Sequence, residues 1–281
     1  MNLVKKRKIK NAIALSMSVF AAIVGLFWLV FILSSVIVKG ISSIDLSLFL
    51  NDPAPPGIPG GGLRCAFVGQ AIITLIATII GVPIGVLGGT FLAEYGRYKK
   101  YSGVISSLAD MMTSFPSIVV GVFVYTVMVR PMGHFNGYAG AVALAIIMIP
   151  IIVRTTEETL KLIPWELREA AFALGAPYYK VIKDIVYRGA ATGLFTGVLL
   201  AVARVAVETA PLLFTSFNNS FLTFNPNQPM PSLTVTIYQY AMGPYEEWHK
   251  LAWGASFVIV SFVLILSILG RWIVNKRYGN G

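Results

Sequence analysis

The sequence predicts an all-α fold, a polytopic helical membrane protein with six transmembrane helices, and three observations carry that prediction. Of 281 residues, 56% are hydrophobic and 12% charged, about half the charged share of a soluble domain. Mean hydropathy is +0.76. The apolar residues also gather into long runs, and about 20 such residues cross a hydrocarbon core of about 30 Å. Helix is the form in which each run satisfies its own backbone away from water. This composition excludes a disordered or collagen-like chain, and the single cysteine, Cys65, excludes a disulfide scaffold. A net charge of +10 would suggest nucleic acid in a soluble protein. In a membrane protein it reports topology first, so no nucleic-acid partner is expected.

The first run, 12–38, follows a basic segment at 1–11. It is too long for a signal-peptide core of about 7–15 residues, and no small-x-small site closes it, so it reads as an uncleaved anchor in the bilayer. An external loop at 39–65 contains PAPPGIPGGG at 53–62, which will be irregular. A five-helix core at 66–274 follows, with spans at 66–92, 104–129, 138–153, 191–214 and 253–274. The run 138–153 is short enough that it could instead dip in and return. A cytoplasmic loop at 154–190 and an external loop at 215–252 interrupt the core, the latter with an interfacial helix around 233–241. The chain ends in a tail at 275–281.

Lys and Arg orient these spans. Seventeen of the 22 lie in the N-terminus, the connection at 97–100, the loop 154–190 and the C-terminal region, whereas Lys39, Arg64, Arg130 and Lys250 lie opposite. Both termini are therefore expected in the cytoplasm. No Gly-Lys dipeptide occurs, so the chain has no P-loop and is expected to bind no ATP itself. Neither a catalytic set nor a metal site is expected. His134 and His249 fall in outer loops, form no HExxH pattern and read as ordinary solvated residues.

The loop 154–190 is too long for a turn. Pro164 suits the first position of a helix over 165–174, Gly175 a left-handed C′ position, and Pro177 the start of a second helix to about 187. Leu167, Ala170, Ala171 and Leu174 follow i, i+3, i+4, i+7 and form a narrow apolar stripe, with Glu166, Arg168 and Glu169 on the remaining surface. Such an elbow either packs on its own membrane domain or docks in a groove of a separate soluble protein. Glu169-Ala170-Ala171, then Gly175, then Ile185-Val186-Tyr187 resembles the EAA loop of bacterial ABC importer permeases, although Tyr187 and Arg188 stand where that pattern has Leu and Pro. The resemblance implies a type I ABC importer permease-like fold. It also implies that Glu169, Ala170, Ala171, Leu174 and Gly175 couple the chain to a partner ATPase, which would carry the ATP and Mg.

Arg204 and Glu208 lie near the middle of the fifth apolar run. A charge there costs about 2.5–3.5 kcal/mol on insertion scales and faces protein or a water-filled cavity. Their i, i+4 spacing permits a salt bridge. Gly189, Gly193, Gly197 and Ala201 recur every four residues as a packing ridge, and at about 100° per residue the pair falls roughly 20° either side of Gly197. The pair either offers Arg204 to an anion in transit while Glu208 holds or releases it, or fixes an interface permanently. Gly81, Gly85 and Gly89 repeat the spacing in the second span and read as packing. Asp110 reads as interfacial.

The run from Ala203 to Thr215, with Glu208-Thr209-Ala210-Pro211-Leu212-Leu213 at its centre, is similar to the PstA-type permeases of phosphate importers. So are Pro116-Ser117-Ile118-Val119-Val120-Gly121 and Pro231-Ser232-Leu233-Thr234 with Ile237-Tyr238. That resemblance implies a prokaryotic plasma (inner) membrane protein with a substrate path at Arg204, Glu208 and Thr209. It further implies a second permease of the PstC type, an ATPase homodimer and an extracytoplasmic phosphate-binding protein. A sulfate- or molybdate-type permease would share the coupling loop but not the Glu-Thr-Ala-Pro-Leu-Leu run. A stand-alone secondary transporter would need coupling-ion ligands and internal repeats.

Overall fold

Helix accounts for all the regular structure in the computed structural model, which describes residues 3–58, 60–96 and 99–278. Arg97, counted above among the cytoplasmic cations, lies outside the described residues, as do Pro59 of the breaker-rich loop and the ends 1–2 and 279–281. The same holds for the side chains of Lys100, Arg271, Lys276 and Arg277.

In chain order the helices are α1 (Leu3–Ile41), α2 (Leu46–Leu50), α3 (Arg64–Tyr95), α4 (Lys100–Ser114), α5 (Ser117–Met132), α6 (Gly137–Lys161), α7 (Trp165–Ala173), α8 (Tyr178–Val205), α9 (Ala210–Thr215), α10 (Leu233–Met242) and α11 (Glu246–Tyr278). Among the described residues five of these are long and apolar enough to cross a membrane, and the count is six when the bent pair α4–α5 is taken as one span.

Three expectations about the spans need correction. The run 104–129 is broken, with its halves meeting at 98°. Phe115 takes φ −68°, ψ 135° ahead of Pro116, because a residue before proline is pushed out of the helical region. The short run 138–153 is neither short nor re-entrant. It belongs to the 25-residue α6, which continues because Arg154, Glu157, Glu158 and Lys161 pair with one another. The run 191–214 is interrupted after Val205. Pro211 has no N–H to give to the turn before it, so the chain turns through 206–209 and restarts as α9.

α6 is the axis of the bundle. Of its apolar stretch 61% is buried, against 22% for α3, α8 and α11. Glycine ridges on two neighbours explain this. Gly81, Gly85 and Gly89 of α3 face Met148, Ile152 and Thr156, and a Cβ added at Gly85 would lie 2.6 Å from that of Ile152. On the other flank Gly193 faces Thr159 and Gly197 faces Thr155, while Ala201 is fully buried in the same core. Without side chains in between, the backbones approach closely and van der Waals contact holds the helices together.

α1 joins the bundle by its C-terminal end. None of its apolar stretch is buried, but Gly40 rests on Phe257 and Lys39 lies over the Trp253 ring, 4.8 Å from its centre. α2 begins at Asp45, whose carboxylate accepts from the Leu46 amide at 2.7 Å. The Ser47 hydroxyl and that amide hold the Asp45 carboxyl below its ordinary value. α10, expected around 233–241, packs Leu233, Val235 and Tyr240 inward. Its first amide is taken by the Gln70 side chain at 3.1 Å.

Candidate functional site

The elbow between α6 and α8 is locally encoded. Pro164 precedes α7 rather than opening it. Leu174 and Gly175 then close the helix in a Schellman motif, with the Gly175 amide on the Phe172 carbonyl at 2.9 Å and the Ala176 amide on the Ala171 carbonyl at 3.1 Å. Gly175 takes φ +78°, with open space where a Cβ would stand, so the backbone conformation and not crowding calls for glycine. The second short helix expected at 177–187 is instead the first part of α8, running on through a π-helical stretch at Val181–Val186. The extended Pro177 permits this by starting α8 directly.

The face of α7 that packs inward is not the expected stripe. Ala171 is buried, but Leu167 and Leu174 are 50% and 89% exposed, and Glu166, Glu169 and Ala170 are exposed with them. Arg168, expected on the surface, is buried. Its guanidinium grips the Glu94 carboxylate at 2.6 and 3.1 Å and gives its other donors to the carbonyls of Leu160, Ile163 and Pro164. All five N–H groups therefore have acceptors, the condition under which a buried charge is tolerated. Tyr178 donates to the Glu94 carbonyl at 2.9 Å, and Tyr187 shares a 2.8 Å hydrogen bond with Thr90. The elbow is thus bolted to the end of α3 on one face and open on the other. Glu94 was missed in the sequence. Its one signal is a carboxylate at the end of an apolar run, and its partner lies 74 residues away.

The second constellation lies where two breaks meet. Arg204, at the end of α8, and Glu208, in the turn after it, line a cleft of about 270 Å³ with Thr113, Phe115, Ser117 and Ile147. The expected i, i+4 salt bridge between Arg204 and Glu208 is not formed, because the helix stops at Val205 and that spacing is no longer helical. Neither side chain has a hydrogen-bond or ion-pair partner among the described residues. The Gly197 ridge packs on α6, and Arg204 emerges beside Ile147 and Ile151 of that same helix. Thr209 sits at the start of α9, where its carbonyl accepts from Leu212 and Leu213, and it does not line the cleft.

The three sequence runs singled out above converge here. Gly121 of α5 lies against Pro211, and a Cβ there would come within 2.7 Å of the proline Cα. The Thr234 hydroxyl donates to the Glu208 carbonyl at 2.8 Å. One turn further along α6, Arg154 joins Asp110 at 3.4 Å and Glu158 at 2.9 Å, which ties α4 to α6. The histidines are less loose than expected. His134 sets one ring nitrogen 3.0 Å from the Met132 carbonyl and the other 3.0 Å from that of Asn227, a neutral ring donating to one of the two, and His249 meets the carbonyl of Gly243, so both hold loop backbone. Among the described residues no group of three or more His, Cys, Asp or Glu is placed to hold a metal ion.

Comparison with known proteins adds three findings. The family model described as binding-protein-dependent transport system inner membrane component matches residues 81–276. The phosphate transport system permease protein PstA of Pasteurella multocida is 48% identical over 265 residues, 94% of each chain, and that of Haemophilus influenzae 49% over 271 residues, 96% of each chain. The probable phosphate transport system permease protein PstA of Methanocaldococcus jannaschii is 36% identical over 76% of each chain. Among solved structures, an inward-facing MetNI methionine ABC transporter chain aligns with a TM-score of 0.58 at 20% identity. That alignment covers 76% of this chain and 94% of the other and is a likeness of fold.

Proposed function

Because the chain belongs to the family of binding-protein-dependent transport system inner membrane components and, within it, to the PstA phosphate transport permeases, we propose that it is the membrane subunit of an ATP-driven phosphate importer. It is a multi-pass membrane protein that works with other subunits. Here the path for phosphate runs through the cleft at Arg204. A second permease closes that path by packing on the exposed apolar face of α5, where Ile118, Val119, Val122 and Phe123 stand free. An ATPase homodimer, which carries the ATP and Mg, grips the open face of α7 in the cytoplasm. An extracytoplasmic phosphate-binding protein delivers the anion from the other side. The bias of Lys and Arg supports this orientation, with both termini cytoplasmic.

The observation that carries the reading is the unpartnered guanidinium of Arg204 beside two helix breaks. A planar fork of donors suits a tetrahedral oxyanion. Broken helices beside it let the cleft change shape without straining a continuous rod. Movement of α7 reaches the cleft through α6 and α8, so closure of the ATPases opens the path outward and hydrolysis resets it. Arg204→Gln should lower phosphate uptake by the assembled transporter roughly ten- to hundredfold, since a hydrogen bond to a charged group is worth about 1.5–3 kcal/mol. Uptake in proteoliposomes, alongside co-purification of the subunits, checks this. Loss of assembly in place of uptake would make the residue structural.

The elbow has its own test. Glu169→Arg reverses a charge on the exposed face, and Gly175→Pro demands φ near −65° where the chain needs +78°. Both variants should insert normally yet lose substrate-stimulated ATP hydrolysis. Wild-type stimulation in both would separate α7 from the ATPase.

A further inference from the structure

The cleft beside Arg204 contains a group that an anion path has no simple use for, a second charge of the wrong sign. Glu208 is half-buried in the turn after α8. Its backbone is fixed from both sides, the amide by the Val205 carbonyl at 3.2 Å and the carbonyl by the Thr234 hydroxyl at 2.8 Å. The carboxylate, by contrast, has no partner among the described residues. Arg204 and Glu208 are the charged residues lining the cleft. The hydroxyls of Thr113 and Ser117 are its other polar side-chain groups, and the remaining lining is apolar.

We propose that Glu208 determines specificity by admitting a tetrahedral oxyanion that carries a proton and rejecting one that carries none. The inference rests on reading this cleft as the phosphate path. A fully deprotonated dianion gains the Arg204 fork but meets Glu208 as a like charge, in a partly apolar cleft where screening is weak. Phosphate at neutral pH keeps at least one O–H. That group donates to the free carboxylate and turns the repulsion into a charge-assisted hydrogen bond. Sulfate resembles phosphate in size and shape, so the proton is the difference a protein can read. A site that keeps a polar group ready for a substrate hydroxyl rejects the analogue lacking it far better than a site that discriminates by size. The pinned backbone serves this purpose by holding the carboxylate at the cleft while the path changes shape.

The test is displacement of radiolabelled phosphate from the assembled transporter in lipid nanodiscs, without its delivery protein, so that the permease's own preference is read. Arsenate, which keeps its proton, should displace the label as phosphate does. Sulfate and monofluorophosphate, both dianions without an O–H at neutral pH, should be weaker by about tenfold or more. Glu208→Gln should bring sulfate to within about threefold of phosphate, because an amide both donates and lacks the repelling charge, and Glu208→Asp should keep the discrimination. Monofluorophosphate acting like arsenate on the unmodified transporter overturns the proposal however the variants assemble. An unchanged sulfate ratio in Glu208→Gln, or no saturable phosphate binding to the unmodified transporter, does the same. Normal uptake by Arg204→Gln would instead remove the underlying path, a result distinguishable from failure of the Glu208 role.

Discussion

Arg168→Met should detach the elbow from the rest of the helical bundle. The substitution leaves the Glu94 carboxylate, whose side chain is 1% exposed, without its counter-charge, and strips donors from the carbonyls of Leu160, Ile163 and Pro164. Removing one partner of a buried pair costs about 3–5 kcal/mol, since the other charge stays desolvated. The expected result is a lower melting temperature of the assembled transporter, new proteolytic cleavage within 162–177, and ATP hydrolysis that no longer answers to substrate. Adding Glu94→Leu should recover most of the melting temperature, because an apolar pair of similar volume is close to neutral in such a place. It should not recover full coupling, since the guanidinium also fixes the angle at which α7 leaves the bundle. A single variant with wild-type melting and cleavage would show that the ion pair contributes nothing to holding the elbow.

Gly85→Ala should be as damaging, for the opposite reason. One added carbon falls 2.6 Å from the Cβ of Ile152 and 2.7 Å from its Cγ2, in the close seam between α3 and α6. Neither atom is the free end of a flexible chain, so α3 and α6 must separate along their length. Overpacking of this kind costs about 1–3 kcal/mol and sometimes more. Less folded protein should survive detergent extraction and gel filtration. Gly25→Ala, on the exposed α1 where nothing lies within 4 Å of the added carbon, serves as the control and should be silent.

Much of the architecture was legible because hydropathy and glycine spacing are local properties. The runs at 66–92 and 253–274, the helix near 233–241 and the left-handed Gly175 needed no knowledge of distant residues. The breaks were not legible in the same way. Hydropathy averages over a window, and an apolar run reads alike whether it is straight or bent, so 104–129 and 191–214 passed as rods. Pro116 and Pro211 were the available signals. The extent of α6 was hidden for another reason. Arg154, Glu157, Glu158 and Lys161 look like loop until their mutual pairing, and that of Arg154 with Asp110, is seen. Periodicity likewise placed Arg168 on the surface, because a stripe of apolar residues says nothing of a carboxylate 74 residues earlier that will claim the guanidinium. At the cleft, Arg204 and Glu208 were identified as a pair, but the ruptured helix that sets them free to act on something else is a tertiary fact.

The grip on α6 from both flanks bears on how such a device avoids leaking. Seams that set glycines against Ile152, Thr155 and Thr156 leave little slack to absorb shear, and a close-packed interior yields by switching between arrangements, not by stretching. The 25 residues of α6 run roughly 37 Å end to end at about 1.5 Å each, with Pro150 near mid-length removing one backbone hydrogen bond. The helix links Leu160, beside the elbow, to Asn136, whose amide is tied to the Thr215 carbonyl at the opposite end. On the path proposed above, its two ends are geared to one shaft, and opening one is expected to close the other.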